Sequence, residues 1–290
     1  MEVAGLRPLR IGLAGAGRAF ERLYGPALAR VRGLEVAALA DPRPVTLPGV
    51  RRWPSVEAML AAEPLDGLLV LSPPSAHATQ VEAGLAAGLA VLTEKPAALA
   101  AGEVDRWPEG GQFAAAYTRR GWEGYRRAKG GHGARAWTFV LETNPAGWGA
   151  VDQPRLVHDL LPHAIDLAEW LTGSEIRDVR DVRGDKHRLE GVFELTDGRT
   201  FGWRVAYGQR YREELRGDGR VLVRRPPRLP VPGRFRRRED IDGAARVLRA
   251  WAAQLRGTAE GDDLLAGRAA VQRHAAILEA VERPAGGMRV

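Results

Sequence analysis

The chain has 290 residues, 45% of them hydrophobic, no cysteine, and a formal net charge of +7. That length provides material for two cores of ordinary size, and the lack of cysteine excludes disulfides, thiolate metal sites and cysteine nucleophiles. The positive balance rests on arginine, Lys95, Lys129 and Lys186 being the only lysines, and the arginines are interspersed with acids throughout, which reads as solvated surface and not as a nucleic-acid face.

In chain order, glycines interrupt the apolar patch within residues 1–17 and it lacks a cleavage-like end, so no signal peptide is expected. No later apolar run reaches membrane-spanning length, and the expectation is a soluble, cytoplasmic protein with no membrane partner. Residues 9–14 form a short apolar strand, followed at once by Gly15-Ala-Gly17 and a helix over 18–31. Strand, glycine turn and helix is the setting in which backbone N–H groups and a helix N-terminus meet a pyrophosphate. The next strand, 34–40, ends in Asp41, at the spacing expected of a carboxylate that binds an adenosine ribose. Phe20 stands where the third glycine of Gly-x-Gly-x-x-Gly would be, so the usual close helix–strand contact is not available there.

The alternation then repeats. Ser55 opens a helix over 56–62, and 65–71 is a continuous apolar strand of the kind buried in a parallel sheet. Ser72-Pro-Pro-Ser75 breaks it, Ser75 caps a helix over 76–87, and Gly88 ends that helix. A strand at 90–93 leads into Glu94-Lys95-Pro96, a short helix covers 102–107, and 113–117 is one more strand. This regularity predicts an α/β fold, an N-terminal Rossmann-type doubly wound parallel sheet, over residues 1–120.

Beyond residue 120 the pattern changes. Strands are expected at 134–143, 188–195, 199–207 and 221–224, with Asp197-Gly198 and Asp218-Gly219 as hairpin turns. A loop is expected at 144–154, a proline- and arginine-rich loop at 224–238, and closing helices at 240–256 and 262–282. Residues 121–290 therefore read as a C-terminal α+β domain built on an open, mostly antiparallel sheet. Phe201, Trp203, Val205 and Tyr207 share one face of the 199–207 strand, and a second subunit is the expected cover.

One stretch in this half carries chemistry. Leu156-Val-His-Asp-Leu-Leu-Pro-His-Ala-Ile-Asp166 puts Asp159 four residues before His163, and on one helix the two would share a face. Pro162 is tolerated only in a first turn, so the helix is expected to begin near Asp159. The alternative makes Asp159 an N-cap and His163 an ordinary half-buried histidine. His158, next to Asp159, should face away from the pair; His132, His187 and His274 receive no role. No cluster of Asp and His suggests a metal site.

Three motifs in order, Gly12-x-x-Gly15-x-Gly17, Glu94-Lys95-Pro96 and Asp159-x-x-x-His163, resemble the glucose-fructose oxidoreductase / inositol dehydrogenase / rhizopine catabolism (Gfo/Idh/MocA) family. Ser72-Pro-Pro-x-x-His77 and Tyr117-Thr-Arg-Arg120 are supporting matches, the latter in place of Tyr-Asn-Arg-Arg. The chain departs from the family in a shortened helix after Lys95-Pro96 and in Val151-Asp-Gln-Pro-Arg155, which replaces the glycine-rich lead-in to the aspartate.

The resemblance implies an NAD(P)-dependent dehydrogenase or reductase acting on the CH–OH group of a sugar, cyclitol or similar polyol. It implies Lys95, Asp159 and His163 as catalytic residues: His163 takes the hydroxyl proton, Asp159 orients it, and Lys95 holds the substrate oxygen. It implies Gly12, Gly15, Gly17, Arg18, Asp41, Arg43, Ser72, Pro73, His77, Glu94 and Lys95 at the cofactor, with Glu94 near the nicotinamide ribose. Asp41 favours NAD, and Arg43, two residues on, keeps NADP open. A homodimer or homotetramer is implied as well. The competing readings are a non-catalytic dinucleotide-binding sensor on the same fold and a reductase of a non-sugar substrate.

Overall fold

Apolar runs bounded by glycine and proline become the strands of the first half of the chain. In the computed structural model, residues 7–131, 133–145, 155–225, 233–258 and 263–282 are described. They fall into two units, Met1–Thr118 with Asp240–Gln272, and Arg119–Glu239 with Arg273–Val290.

The first half supplies strands β1 (Leu9–Ala14), β2 (Leu34–Ala40), β3 (Arg51–Trp53), β4 (Gly67–Val70), β5 (Ala90–Glu94) and β6 (Phe113–Ala116). Between them lie helices α1 (Gly25–Leu28), α2 (Val56–Ala62), α3 (Pro74–Ala86) and α4 (Ala101–Asp105). The expected helix after the glycines is helical from Arg18 but widens into a π-helical turn over Phe20–Tyr24 before α1. Ser55 caps α2 as expected, its Oγ accepting the Ala58 N–H at 3.2 Å. Ser75 does not cap α3: Pro73 holds the N-cap position, because Pro74 has the fixed φ suited to the first helical residue.

The middle of the chain supplies α5 (Glu123–Gly131), β7 (Ala136–Thr143), α6 (Leu156–Asp159), α7 (Leu161–Thr172), β8 (Ile176–Asp185), β9 (Arg188–Leu195), β10 (Thr200–Tyr207), β11 (Arg212–Gly217) and β12 (Arg220–Arg225). After them come α8 (Gly233–Leu255), β13 (Leu265–Ala266) and α9 (Arg268–Glu282). Strands β3, β8, β11 and β13 were not expected. Of the two expected loops, 146–154 and 226–232 lie outside the described residues, as does His132. Residues 233–238 belong to α8 and not to a loop.

In the first unit the sheet order is β13-β6-β5-β4-β1-β2-β3, parallel throughout except for the antiparallel edge strand β13. The order in which strands are added reverses between β1 and β4, the switch point at whose carboxyl ends open α/β sheets bind ligands. The first break falls at Thr118, close to the expected residue 120, but Asp240–Gln272 return to the first unit. Ala244, Ala245, Val247, Leu248 and Trp251 of α8 share the core of the first unit with Leu13, Leu39 and Leu69, so α8 is drawn there by apolar burial.

In the second unit the order is β12-β11-β7-β10-β9-β8, antiparallel except for the parallel pair β7–β10. Phe201, Trp203 and Val205 are buried in one core with Leu161, Ile165 and Leu167 of α7. The helix already covers the face assigned above to a second subunit, and that argument for an oligomer loses its basis.

Candidate functional site

The glycine turn sits at the carboxyl end of β1. Gly15 has φ +89°, and a Cβ there would lie 2.9 Å from the backbone of Ser72, so only glycine allows this approach to the turn after β4. Gly12 behaves differently. It lies inside β1, and a Cβ would strike Leu65 at 2.6 Å and Met59 at 2.9 Å. Its smallness serves core packing behind the turn.

Asp41 follows β2 and is buried. Its carboxylate accepts the Ala16 N–H at 3.0 Å, the Arg43 N–H at 2.9 Å, and Arg43 Nε and Nη2 at 3.0 and 2.9 Å. Burial alone would raise its pKa; these donors outweigh it and hold the carboxyl at about 2. The glycine turn is therefore pinned to the end of β2 by an ionised side chain. Arg18 is exposed at the start of the helical stretch, and Pro73 is exposed ahead of α3.

Glu94 ends β5. Its Oε1 accepts the Tyr24 hydroxyl at 2.7 Å and its Oε2 the Lys95 N–H at 2.9 Å. Burial, then the Glu94 charge, pushes the Tyr24 phenol well above its usual pKa, so it remains a donor. Nothing in the sequence pointed to Tyr24, which reaches Glu94 across seventy residues. Both ring nitrogens of His77 lie against backbone carbonyls, Nδ1 at 2.7 Å from Pro96 and Nε2 at 2.7 Å from Ser72. It ties the turn after β4 to the turn after β5, and neither nitrogen is left for a ligand. Lys95 is half-buried at that second turn.

In the second unit Asp159 and His163 do not share one continuous helix. Asp159 is the last residue of α6, Leu160 (φ −106°, ψ −35°) stands between, and α7 starts at Leu161 with Pro162 in its first turn. Asp159 is thus not the N-cap of α7, which removes the capping alternative. Its Oδ2 accepts the Tyr207 hydroxyl at 3.3 Å. Burial first, then the Asp159 charge, raises the Tyr207 pKa far above a free phenol's. His163 is buried in the first turn of α7, among Leu161, Ala164 and Ile165.

Behind His163 the helix is held by ions. Asp166 accepts Arg120 Nε at 3.1 Å on both oxygens and Nη2 at 2.6 Å, with both side chains buried. The Tyr117-Thr-Arg-Arg120 motif thereby gains a physical role in anchoring α7. Arg119, its neighbour, pairs with buried Glu213 at 2.8 Å. His274, left without a role above, contacts Glu169 at 3.2 Å. His158 meets Glu282 at 3.1 Å. Among the described residues no group of three His, Cys, Asp or Glu could hold a metal ion, and no helix is long and apolar enough to cross a membrane.

Comparison with known proteins agrees with the parallel-sheet fold of the first unit. Residues 9–110 match the GFO_IDH_MocA family, described as an oxidoreductase family with an NAD-binding Rossmann fold. An inositol 2-dehydrogenase of Acidothermus cellulolyticus is 30% identical over 203 residues, covering 64% of this chain and 60% of that protein. One of Leifsonia xyli is 27% identical over 188 residues, or 59% and 56%. The chain thus spans less than two thirds of the length of these curated relatives. In fold it is similar to a myo-inositol 2-dehydrogenase of Lactobacillus plantarum, with a TM-score of 0.79, 19% identity, and 95% and 96% of the two chains covered.

Proposed function

The chain belongs to the Gfo/Idh/MocA family of NAD(P)-binding oxidoreductases, and from that premise we propose that it moves a hydride between a nicotinamide dinucleotide and a secondary alcohol or ketone of a small polyol or sugar. The observation that carries this reading is the turn at Gly15, pressed onto Ser72 and pinned by Asp41 at the switch point of a parallel sheet. A Cβ at Gly15 would clash with the Ser72 backbone and push the turn off the sheet, and the helical stretch from Arg18 brings its N-terminal N–H groups to the same turn.

Gly15, Gly17 and Arg18 would hold the pyrophosphate, Asp41 and Arg43 the adenosine end, and Glu94 the nicotinamide ribose. When bound, the nicotinamide supplies a hydride donor or acceptor. His163 takes the hydroxyl proton, since a neutral imidazole titrates in the range such a base needs. Asp159 holds charge near the start of α7, and Tyr207 limits its motion by donating to it. Lys95 supplies positive charge to the substrate oxygen. The curated relatives named as inositol 2-dehydrogenases make cyclitols the first substrates to try.

Incubating the purified protein with either oxidised dinucleotide and a panel of inositols and sugars tests this, reduced-nicotinamide fluorescence being the readout. Growth of the signal with a polyol is expected. Dinucleotide binding with no turnover of any polyol, or of its ketone with reduced cofactor, would replace this reading by that of a sensor.

A further inference from the structure

A carboxylate at the end of the second strand recognises a ribose diol by accepting from its hydroxyls, which requires acceptor positions to spare. Asp41 has none to spare. Its two oxygens take four N–H donors, from Ala16, from the Arg43 backbone, and twice from the Arg43 guanidinium. That matches the roughly four lone-pair sites a carboxylate offers. Freeing the acid for a diol would strip a buried carboxylate of two of its four donors.

What the corner presents outward is the arginine. The Arg43 side chain is 58% exposed while its Asp41 partner is 2% exposed. Its Nη2 lies 3.6 Å from where a Gly17 Cβ would stand, beside the glycine turn. Two guanidinium donors fix its plane against Asp41, and its other N–H groups are not used by that pair. A second guanidinium adjoins it: Arg52 Nη1 donates to the Asp41 carbonyl at 2.9 Å, placed by the pairing of β3 with β2. Asp41 is thus neutralised by Arg43, Arg52 adds positive charge, and Glu21 is a further acid whose field reaches Arg43.

We propose that this corner reads the 2′-phosphate of NADP(H), with Arg43 as the specificity-determining residue and Asp41 as the residue that positions it. The inference rests on the reading that the glycine turn binds a dinucleotide, and it reverses the preference that the place of Asp41 alone suggests. A planar guanidinium already held by one anion is preorganised to fork onto a second, the phosphate, with little further ordering. The hydroxyls of an unphosphorylated ribose offer it no comparable charge.

The test is fluorescence titration of NADPH and NADH on the full chain, with thermal melting to check that each variant is folded. Wild type should bind NADPH at least about tenfold tighter than NADH, a gap that narrows as salt rises because the charges at this corner are exposed. Arg43→Ala should bring the two affinities to within about threefold by weakening NADPH, and Arg43→Lys should fall between, keeping charge without the fork. Asp41→Asn, which keeps an acceptor for Ala16 but loosens the arginine, should lower the NADPH:NADH ratio too, a readout that a purely structural aspartate would not move. Equal or tighter binding of NADH by wild type, or an equal loss of both cofactors in Arg43→Ala, overturns the proposal and leaves the dinucleotide reading standing. Binding of neither dinucleotide removes both.

Discussion

In the first unit the carboxylates near the sheet's carboxyl edge, buried Asp41 and half-buried Glu94, close strands and draw on backbone N–H groups of nearby turns. In the second unit the buried carboxylates sit inside elements: Glu213 within β11, Asp166 and Glu169 within α7. Their partners include side chains from distant sequence: Arg119 and Tyr125 on Glu213, Arg120 on Asp166, and Arg273 and His274 on Glu169. The first arrangement fixes a turn and leaves a ligand edge open. The second locks the helix that carries His163, so the pose of the proposed base depends on ion pairs outside the chemistry.

The largest expected effect separates chemistry from this scaffold. His163→Ala should lower turnover by about 10²- to 10⁴-fold while dinucleotide affinity is kept, the scale on which general-base catalysis acts. Steady-state kinetics and cofactor titration on one preparation decide it. Near-normal turnover would return α7 to a structural role.

Next is the anchor. Arg120→Met leaves Asp166 buried and unpaired, a change that costs about 3–5 kcal/mol. Denaturant unfolding should show that loss, and Arg120→Met/Asp166→Leu should recover most of it, because two apolar groups strand no charge. If the double variant is as unstable as the single, the pair is not what holds the helix.

Acid should find the second unit through Glu169. Burial would raise its pKa, but His274, Arg273 and the Ile176 N–H hold it at about 2, below the ordinary 4.5. A carboxyl depressed in the folded state contributes stability that is full above its ordinary value and lost as pH falls toward the folded one. The shift corresponds to about 3 kcal/mol. Glu169→Gln should therefore be less stable than wild type at pH 7 by roughly that amount, with the gap closing between about pH 4.5 and pH 2. Melting curves across that range check it, and a gap independent of pH would assign the loss to packing.

The same contrast explains what the sequence made legible. Strands β1, β2, β4, β5 and β6 were visible as apolar runs because a parallel sheet buries both of its faces. Asp41 and the glycines were visible because they stand at strand ends, where glycine turn and terminal acid form a recognisable spacing. Strand β11 was missed because Glu213 and Glu214 read as solvent-facing, and only Arg119, Arg216, Arg224 and two tyrosines make them buried residues. Strand β8 was missed because it is an edge, two bulges break its alternation, and Asp181 has φ 54°. The junction at Leu160 was half legible: Pro162 signalled a first turn, but the preceding turn α6 has no signal of its own. Tyr24 and Tyr207 are tertiary placements that no local pattern announces.

Tyr207 gives the smallest effect and tests how far the comparison reaches into the site. Its hydroxyl meets Asp159 at 3.3 Å, a long bond from a phenol that burial keeps protonated. A bond of that length to a charged group is worth about 1 kcal/mol, at the weak end for charged acceptors. Tyr207→Phe keeps the ring on β10 and removes only the hydroxyl. If the bond steadies Asp159 for a proton-transfer role, turnover should fall about three- to tenfold while substrate KM and the melting temperature change little. If Asp159 and Tyr207 serve the fold alone, melting temperature should fall and turnover per folded molecule should not. Asp159→Asn supplies the cross-check: in its background Tyr207→Phe should cost almost nothing further, since the charged acceptor is already gone.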